Sequence, residues 1–207
     1  MSVTKQRLNS EDRQEEIIRA AIDLAGDRGP DEVTTQDMAR AIGVTQGAIF
    51  RHFPNKDMIW MGVVHWVRGR LMTVVDAAAG QGKDPIDSLQ RIFYAHLGFV
   101  EKHPALPRLL LSGHLLRNPK VRLLIQETLR AYEEKLRDLL AQAKAEQLIT
   151  ADLQEAHAAS ALLSLIQGLV ARIYLLDQKR LAEEGGRAFS IYLRGIGYSA
   201  PEKNGQD

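Results

Sequence analysis

The stretch Thr34-Thr35-Gln36-Asp37-Met38-Ala39-Arg40-Ala41-Ile42-Gly43-Val44-Thr45-Gln46-Gly47-Ala48-Ile49-Phe50-Arg51-His52-Phe53-Pro54-Asn55-Lys56 decides the fold. Its pattern predicts a short helix from about Thr35 to Ile42 and a second from about Thr45 to His52. Ala39 is small where two crossing helices must approach, and Gly43 can take the left-handed conformation of a sharp turn. Ile42, Val44 and Ile49 are apolar plugs between the helices, and Thr45 is a good helix start. The segment therefore reads as a helix-turn-helix. Gln46, Gly47 and Ala48 then lie at the exposed N-terminal end of a helix that can meet base edges in the major groove.

Outward from this segment the periodicity is helical nearly throughout. Ile17, Ile18, Ala21, Leu24 and Ala25 form one buried stripe. Asn9 or Ser10 caps that helix, and Gly26, Gly29 and Pro30 end it. Asn55 caps a long helix from Lys56 to about Ala79, and Gly80-Gln81-Gly82 is a loop. Asp84-Pro85 and Asn118-Pro119 repeat a cap-plus-proline signal. A short apolar helix is expected over about Ala105–Ser112. Asp152 with Glu155 resembles a capping box opening a helix to about Leu176. A last helix covers about Leu181–Gly197. No stretch shows sustained β-branched alternation. The expectation is an all-α chain of about nine helices. A three-helix helix-turn-helix unit over 1–55 joins a larger C-terminal helical bundle over 56–200, with a polar tail over 201–207.

Composition narrows the function classes. The 207 residues hold no cysteine, which removes disulfides, thiolate metal sites and cysteine nucleophiles and suits a reducing cytoplasm. The longest unbroken apolar runs are four residues, against about 20 for a spanning helix, so no membrane segment is expected. Met1–Ser10 is polar and predicts no secretory signal. Basic and acidic residues nearly balance, 27 against 26, which excludes a polycation holding nucleic acid by bulk charge. Residues 11–33 carry eight acids against three bases, so a DNA contact should avoid that face. Lys5 and Arg7 could form an N-terminal arm. His65, His96, His103 and His114 fit no zinc spacing, no Glu-x-x-His pair recurs, and neither a metal nor an enzymatic centre is expected.

Thr34 to Lys56, ending in Ile49-Phe50-Arg51-His52-Phe53-Pro54-Asn55-Lys56-Asp57, resembles the tetracycline-repressor (TetR) family of transcriptional regulators. The resemblance implies a homodimer with two reading heads on a roughly palindromic double-stranded operator, about 34–36 Å apart. It also implies a C-terminal bundle that binds a small effector and dimerises, most simply a repressor released by that effector, with no cofactor. By position it marks Thr35, Gln36, Gln46, Gly47, Phe50, Arg51, His52 and Lys56 as DNA-facing, with Thr45 at the helix start. Where the family usually has tyrosine this chain has Phe50, which cannot hydrogen-bond a phosphate. An all-α carrier or adaptor without DNA binding is the alternative.

In the bundle, His96 shares a side with Phe93 and Val100 and could orient an apolar ligand. Trp66, Met72, Phe93, Phe99, Leu111 and His114 are the other candidate pocket residues, with core packing as the rival reading. The helix to Leu176 is apolar on more faces than one bundle needs. Ile166, Gly168, Leu169 and Ile173, with Phe189, Tyr192 and Leu193, are therefore candidates for a dimer seam.

Overall fold

The computed structural model describes residues 9–110, 113–176 and 181–198, apart from the side chains of residues 114, 173, 174 and 182. These residues form ten helical segments and no strand. They are α1 (Ser10–Arg28), α2 (Thr35–Ala41), α3 (Gln46–Phe50), α4 (Lys56–Ala79), α5 (Pro85–Lys102), α6 (Ala105–Leu110), α7 (Gly113–Arg117), α8 (Pro119–Ala145), α9 (Glu155–Leu176) and α10 (Leu181–Gly195). The chain is all-α, as the periodicity predicts. Leu111, Lys5 and Arg7 lie outside the described residues, as do the side chains of His114 and Ile173.

The capping signals act where the sequence places them. Asn9 Oδ1 accepts from the Asp12 amide at 2.8 Å, and Asn55 Oδ1 from the Met58 amide at 2.9 Å. Asp84 Oδ1 accepts from the Ile86 and Asp87 amides, each at 2.8 Å. Each bond satisfies an amide that the first turn of a helix leaves without a partner. Asp152 is the exception. α9 starts three residues later, so Asp152 accepts instead from the Thr150 hydroxyl at 2.6 Å, while Glu155 pairs with Lys144 at 2.8 Å.

The chain divides into two compact units. The first combines residues up to 68 with 104–125, and the second 69–103 with the residues from 126. The expected boundary at residue 55 thus falls inside the first unit, because α6 packs onto α1. A Cβ built at Gly26 would lie 2.5 Å from that of Ala105, so glycine here permits the close approach rather than ending the helix. Arg108 Nη1 donates to the Gly26 and Asp27 carbonyls at 2.8 and 2.7 Å, satisfying acceptors of the last turn of α1. Gly29, at φ 86°, ends α1. Ile17, Ala21, Ala25, Met38, Ile49 and Ile59 are fully buried in this unit.

The second unit packs the last turns of α4, α5, the later part of α8, α9 and α10 around Leu89, Phe93, Leu136, Leu162, Ile166 and Phe189. A Cβ at Gly185 would lie 2.6 Å from Leu97 Cδ1, so α10 approaches α5 through that glycine.

Candidate nucleic-acid interface

The reading head is built by three local devices. Thr34 and Asp37 form a capping box at the start of α2: the Asp37 amide donates to Thr34 Oγ1 at 3.1 Å and the Thr34 amide to Asp37 Oδ2 at 3.0 Å. The Thr34 hydroxyl also donates to Asp37 Oδ2 at 2.7 Å, and these bonds hold the carboxyl below the ordinary aspartate range. Gly43 then turns the chain at φ 67°, with the Val44 amide reaching back to the Ala39 carbonyl at 2.9 Å. Thr45 caps α3, its Oγ1 accepting from the Ala48 amide at 3.2 Å. Gly43→Val forces a branched side chain into the left-handed region. It is expected to lower the free energy of unfolding in urea by about 1–2 kcal/mol or more.

α3 is shorter than the sequence suggests, five residues, with Arg51 and His52 continuing as a turn. Ile49 is its buried anchor, fully enclosed. Around it Thr45, Gln46, Gly47, Phe50 and Arg51 are exposed, and a Cβ at Gly47 would meet nothing within 4 Å. Phe50 is 42% exposed. Gln36 is exposed on α2, and His52 is half-buried with Nδ1 3.4 Å from Ser10 Oγ.

Thr35, Gln46 and Lys56, like Thr45 and His52, have partners within the protein. Thr35 is buried, and its Oγ1 accepts from Gln46 Nε2 at 2.7 Å. Lys56 Nζ donates to the Asp31 carbonyl at 3.3 Å and lies 6.0 Å from the centroid of the Trp60 ring, where the ring quadrupole adds attraction. Arg117 pairs with the same Asp31 at 3.1 Å, so this loop residue is held from two sides.

The described candidate pocket residues divide between the two units. Trp66 belongs to the first unit, where Nε1 donates to Glu15 at 3.4 Å, because α4 passes between units at residues 68 and 69. Met72 is half-buried against the second core. Phe93 is fully buried against Phe189, ring centroids 4.8 Å apart, and Phe99 packs on His103 at 4.8 Å. His96 is buried with Nδ1 3.2 Å from the Tyr132 hydroxyl. Burial pushes the His96 pKa down to about 4 and raises that of Tyr132. A cleft of about 640 Å³ does open in the first unit, between the start of α4 and the α7–α8 junction. Met58, Trp60, Met61, Leu115 and Lys120 line it, and none of the expected pocket residues whose side chains are described is among its lining. Among the described residues no group of three or more histidine or acidic side chains is placed to hold a metal. No described helix is long and apolar enough to cross a membrane.

The expected seam residues also divide. Ile166, Leu169 and Phe189 are buried in the core of the second unit, and Tyr192 and Leu193 pack partly against it. Gly168 is exposed, with open space beside it. Among the described residues of α9 and α10, the large apolar side chains most exposed are Leu175, Leu176 and Ile191, at 71%, 61% and 62%. A helix apolar nearly all round does not reveal in sequence which stripe its own core uses.

A family model described as bacterial regulatory proteins, tetR family, matches residues 17–59. The nucleoid occlusion factor SlmA of Vibrio cholerae is 30% identical over 172 residues, covering 82% of this chain and 87% of that protein. Among solved structures, the TetR family transcriptional regulator PfmR from Thermus thermophilus superposes with a TM-score of 0.73 at 25% identity, covering 89% of this chain and 99% of that one. FadR from Bacillus subtilis, solved with stearoyl-CoA, shares the fold at a TM-score of 0.77 and 20% identity, covering 88% of this chain and 98% of its own. An exposed reading helix held by a glycine turn, in a chain matching these proteins over most of its length, belongs to the tetR family of bacterial regulatory proteins: it is a DNA-binding transcription regulator and not an enzyme.

Proposed function

We propose that the protein is a cytoplasmic homodimeric repressor that binds a palindromic operator sequence-specifically and leaves it when a small effector binds the second unit. The observation that carries the DNA-binding half is the exposed face of α3, where Gln46, Gly47, Phe50 and Arg51 surround the buried Ile49. Gln46 offers a bidentate edge to adenine, and Phe50 an apolar surface to a thymine methyl. Gly47 lets the backbone approach the groove. Arg51 meets phosphate, with Gln36, Thr45, His52 and Lys56 at the flanks.

The effector site of this reading is the second bundle, whose apolar core holds the buried pair His96 and Tyr132, with Met72, Phe93 and Phe99 in the same unit. The dimer seam of this reading is the exposed stretch around Gly168, Leu175 and Ile191.

The test is selection of random duplex DNA on purified protein at physiological salt. Enriched two-fold-symmetric half-sites support both the operator and the dimer. Absence of enrichment by folded protein overturns the reading. Arg51→Ala is expected to weaken binding to all sequences alike and to reduce the slope of log K against log salt by about 1. An unchanged slope removes Arg51 from the phosphate contacts.

A second reading is favoured by the 30% identity to Vibrio cholerae SlmA, a nucleoid occlusion factor. Genome-wide crosslinking separates the two. Sites confined to promoters support the repressor, and sites scattered along the chromosome irrespective of promoters support occlusion.

A further inference from the structure

Thr35 is the first residue of α2, with its side chain turned inward and only 8% exposed. Its oxygen accepts a hydrogen bond from Nε2 of Gln46 at 2.7 Å, across the turn. Gln46 is the first residue of α3 and is itself exposed. The neighbouring hydroxyls are engaged elsewhere, Thr34 with Asp37 and Thr45 with the Ala48 amide. A glutamine amide has one acceptor oxygen and two N–H donors. With Nε2 held by Thr35, its outward groups are Oε1 and the second N–H. The bond also fixes a long side chain before DNA arrives, lowering the ordering cost of binding.

We infer that Thr35 is a positioning residue that sets which base Gln46 reads, and that the base is adenine. The inference rests on the proposed base contact of Gln46. Adenine presents a donor at N6 and an acceptor at N7, which match an outward acceptor and donor. Guanine presents two acceptors, O6 and N7, and suits the opposite amide orientation, with both N–H groups outward and Oε1 turned to a donating Thr35 hydroxyl. With the amide oriented as found here, Nε2 toward the Thr35 oxygen, the outward edge of Gln46 matches adenine rather than guanine, and Thr35 holds that orientation without touching DNA. This differs from the DNA-facing role that the family resemblance implies for Thr35.

The test compares selections from random duplexes on the wild-type protein, Thr35→Val, Thr35→Ser and Gln46→Ala, each at the same salt. Valine keeps the branched shape of the buried side chain and removes only its oxygen, and serine keeps the oxygen. A bidentate pair discriminates about 5- to 150-fold between right and wrong base. The wild type is expected to enrich adenine at one symmetry-related pair of positions. Thr35→Val is expected to reduce the adenine-to-guanine ratio there by about tenfold, with other positions unchanged, and Thr35→Ser to retain it. Gln46→Ala is expected to erase the same preference. Guanine at that position in the wild type overturns the inference. So does adenine that survives Thr35→Val but disappears in Gln46→Ala, which leaves the base contact of Gln46 standing. If Gln46→Ala changes no position, the base contact fails and the role of Thr35 fails with it.

Discussion

Phe93→Ala is expected to lower the free energy of unfolding by about 3–5 kcal/mol, read as a shift of the urea midpoint at unchanged slope. Phe93 is fully buried on α5, its ring tilted against Phe189 at 4.8 Å and edge-on to Tyr94 at 5.4 Å. Gly185 lies against the same ring: a Cβ there would fall 3.3 Å from Phe93 Cε1. Truncation removes the transfer energy of the ring and leaves a void that this packing closes only in part. Phe93→Leu keeps most of the volume and is expected to lose far less. The result also separates two roles for Phe93. A wall residue of a ligand cavity already lacks neighbours on one side, so a loss near 1 kcal/mol would show that the ring borders space in the free protein. A loss in the full range makes it core.

Lowering the pH from 7.5 to 5 is expected to destabilise the fold through His96 by about 2 kcal/mol. Its imidazole lies among apolar side chains with Tyr132 as partner, and burial pushes its pKa down to about 4. An unfolded histidine titrates near 6.5. Between these values the unfolded chain binds a proton that the folded chain does not, so stability rises with pH. The contribution is complete above the unfolded value and is lost progressively as pH falls from about 6.5 to 4. His96→Leu should flatten this part of the stability-against-pH curve. A wild-type curve that parallels the variant's would place the acid sensitivity elsewhere.

Most of the head was legible in sequence because its determinants are local. Gly43, Thr45, Asn9 and Asn55 act on residues two to five positions away, and the structure finds each where the pattern puts it. The buried stripe of α5 was equally readable, since Ile86, Leu89, Phe93, Leu97 and Val100 all fall on one face. Gln46 at the open end of α3 follows from the same short-range rules.

The surroundings of other residues depend on partners far along the chain. Gly26 looked like a helix end, but its role is set by Ala105 on another helix. Trp66, a candidate pocket residue, lies in the first unit with its indole N–H on Glu15. Ile166, Leu169 and Phe189, candidates for the dimer seam, are buried in the core of their own unit. The exposed Leu175, Leu176 and Ile191 went unnoticed because hydrophobicity alone carries no sign of exposure.

Sequence by itself determined the helical class, every capped helix start but that of α9, and the helix-turn-helix, because periodicity, caps and a left-handed glycine are properties of a few adjacent residues. Tertiary structure decided which apolar stripes face each other, that α6 joins α1, and that Thr35 holds Gln46. Those choices are made by side chains that meet only after the chain has folded, at sequence separations over which no local rule acts.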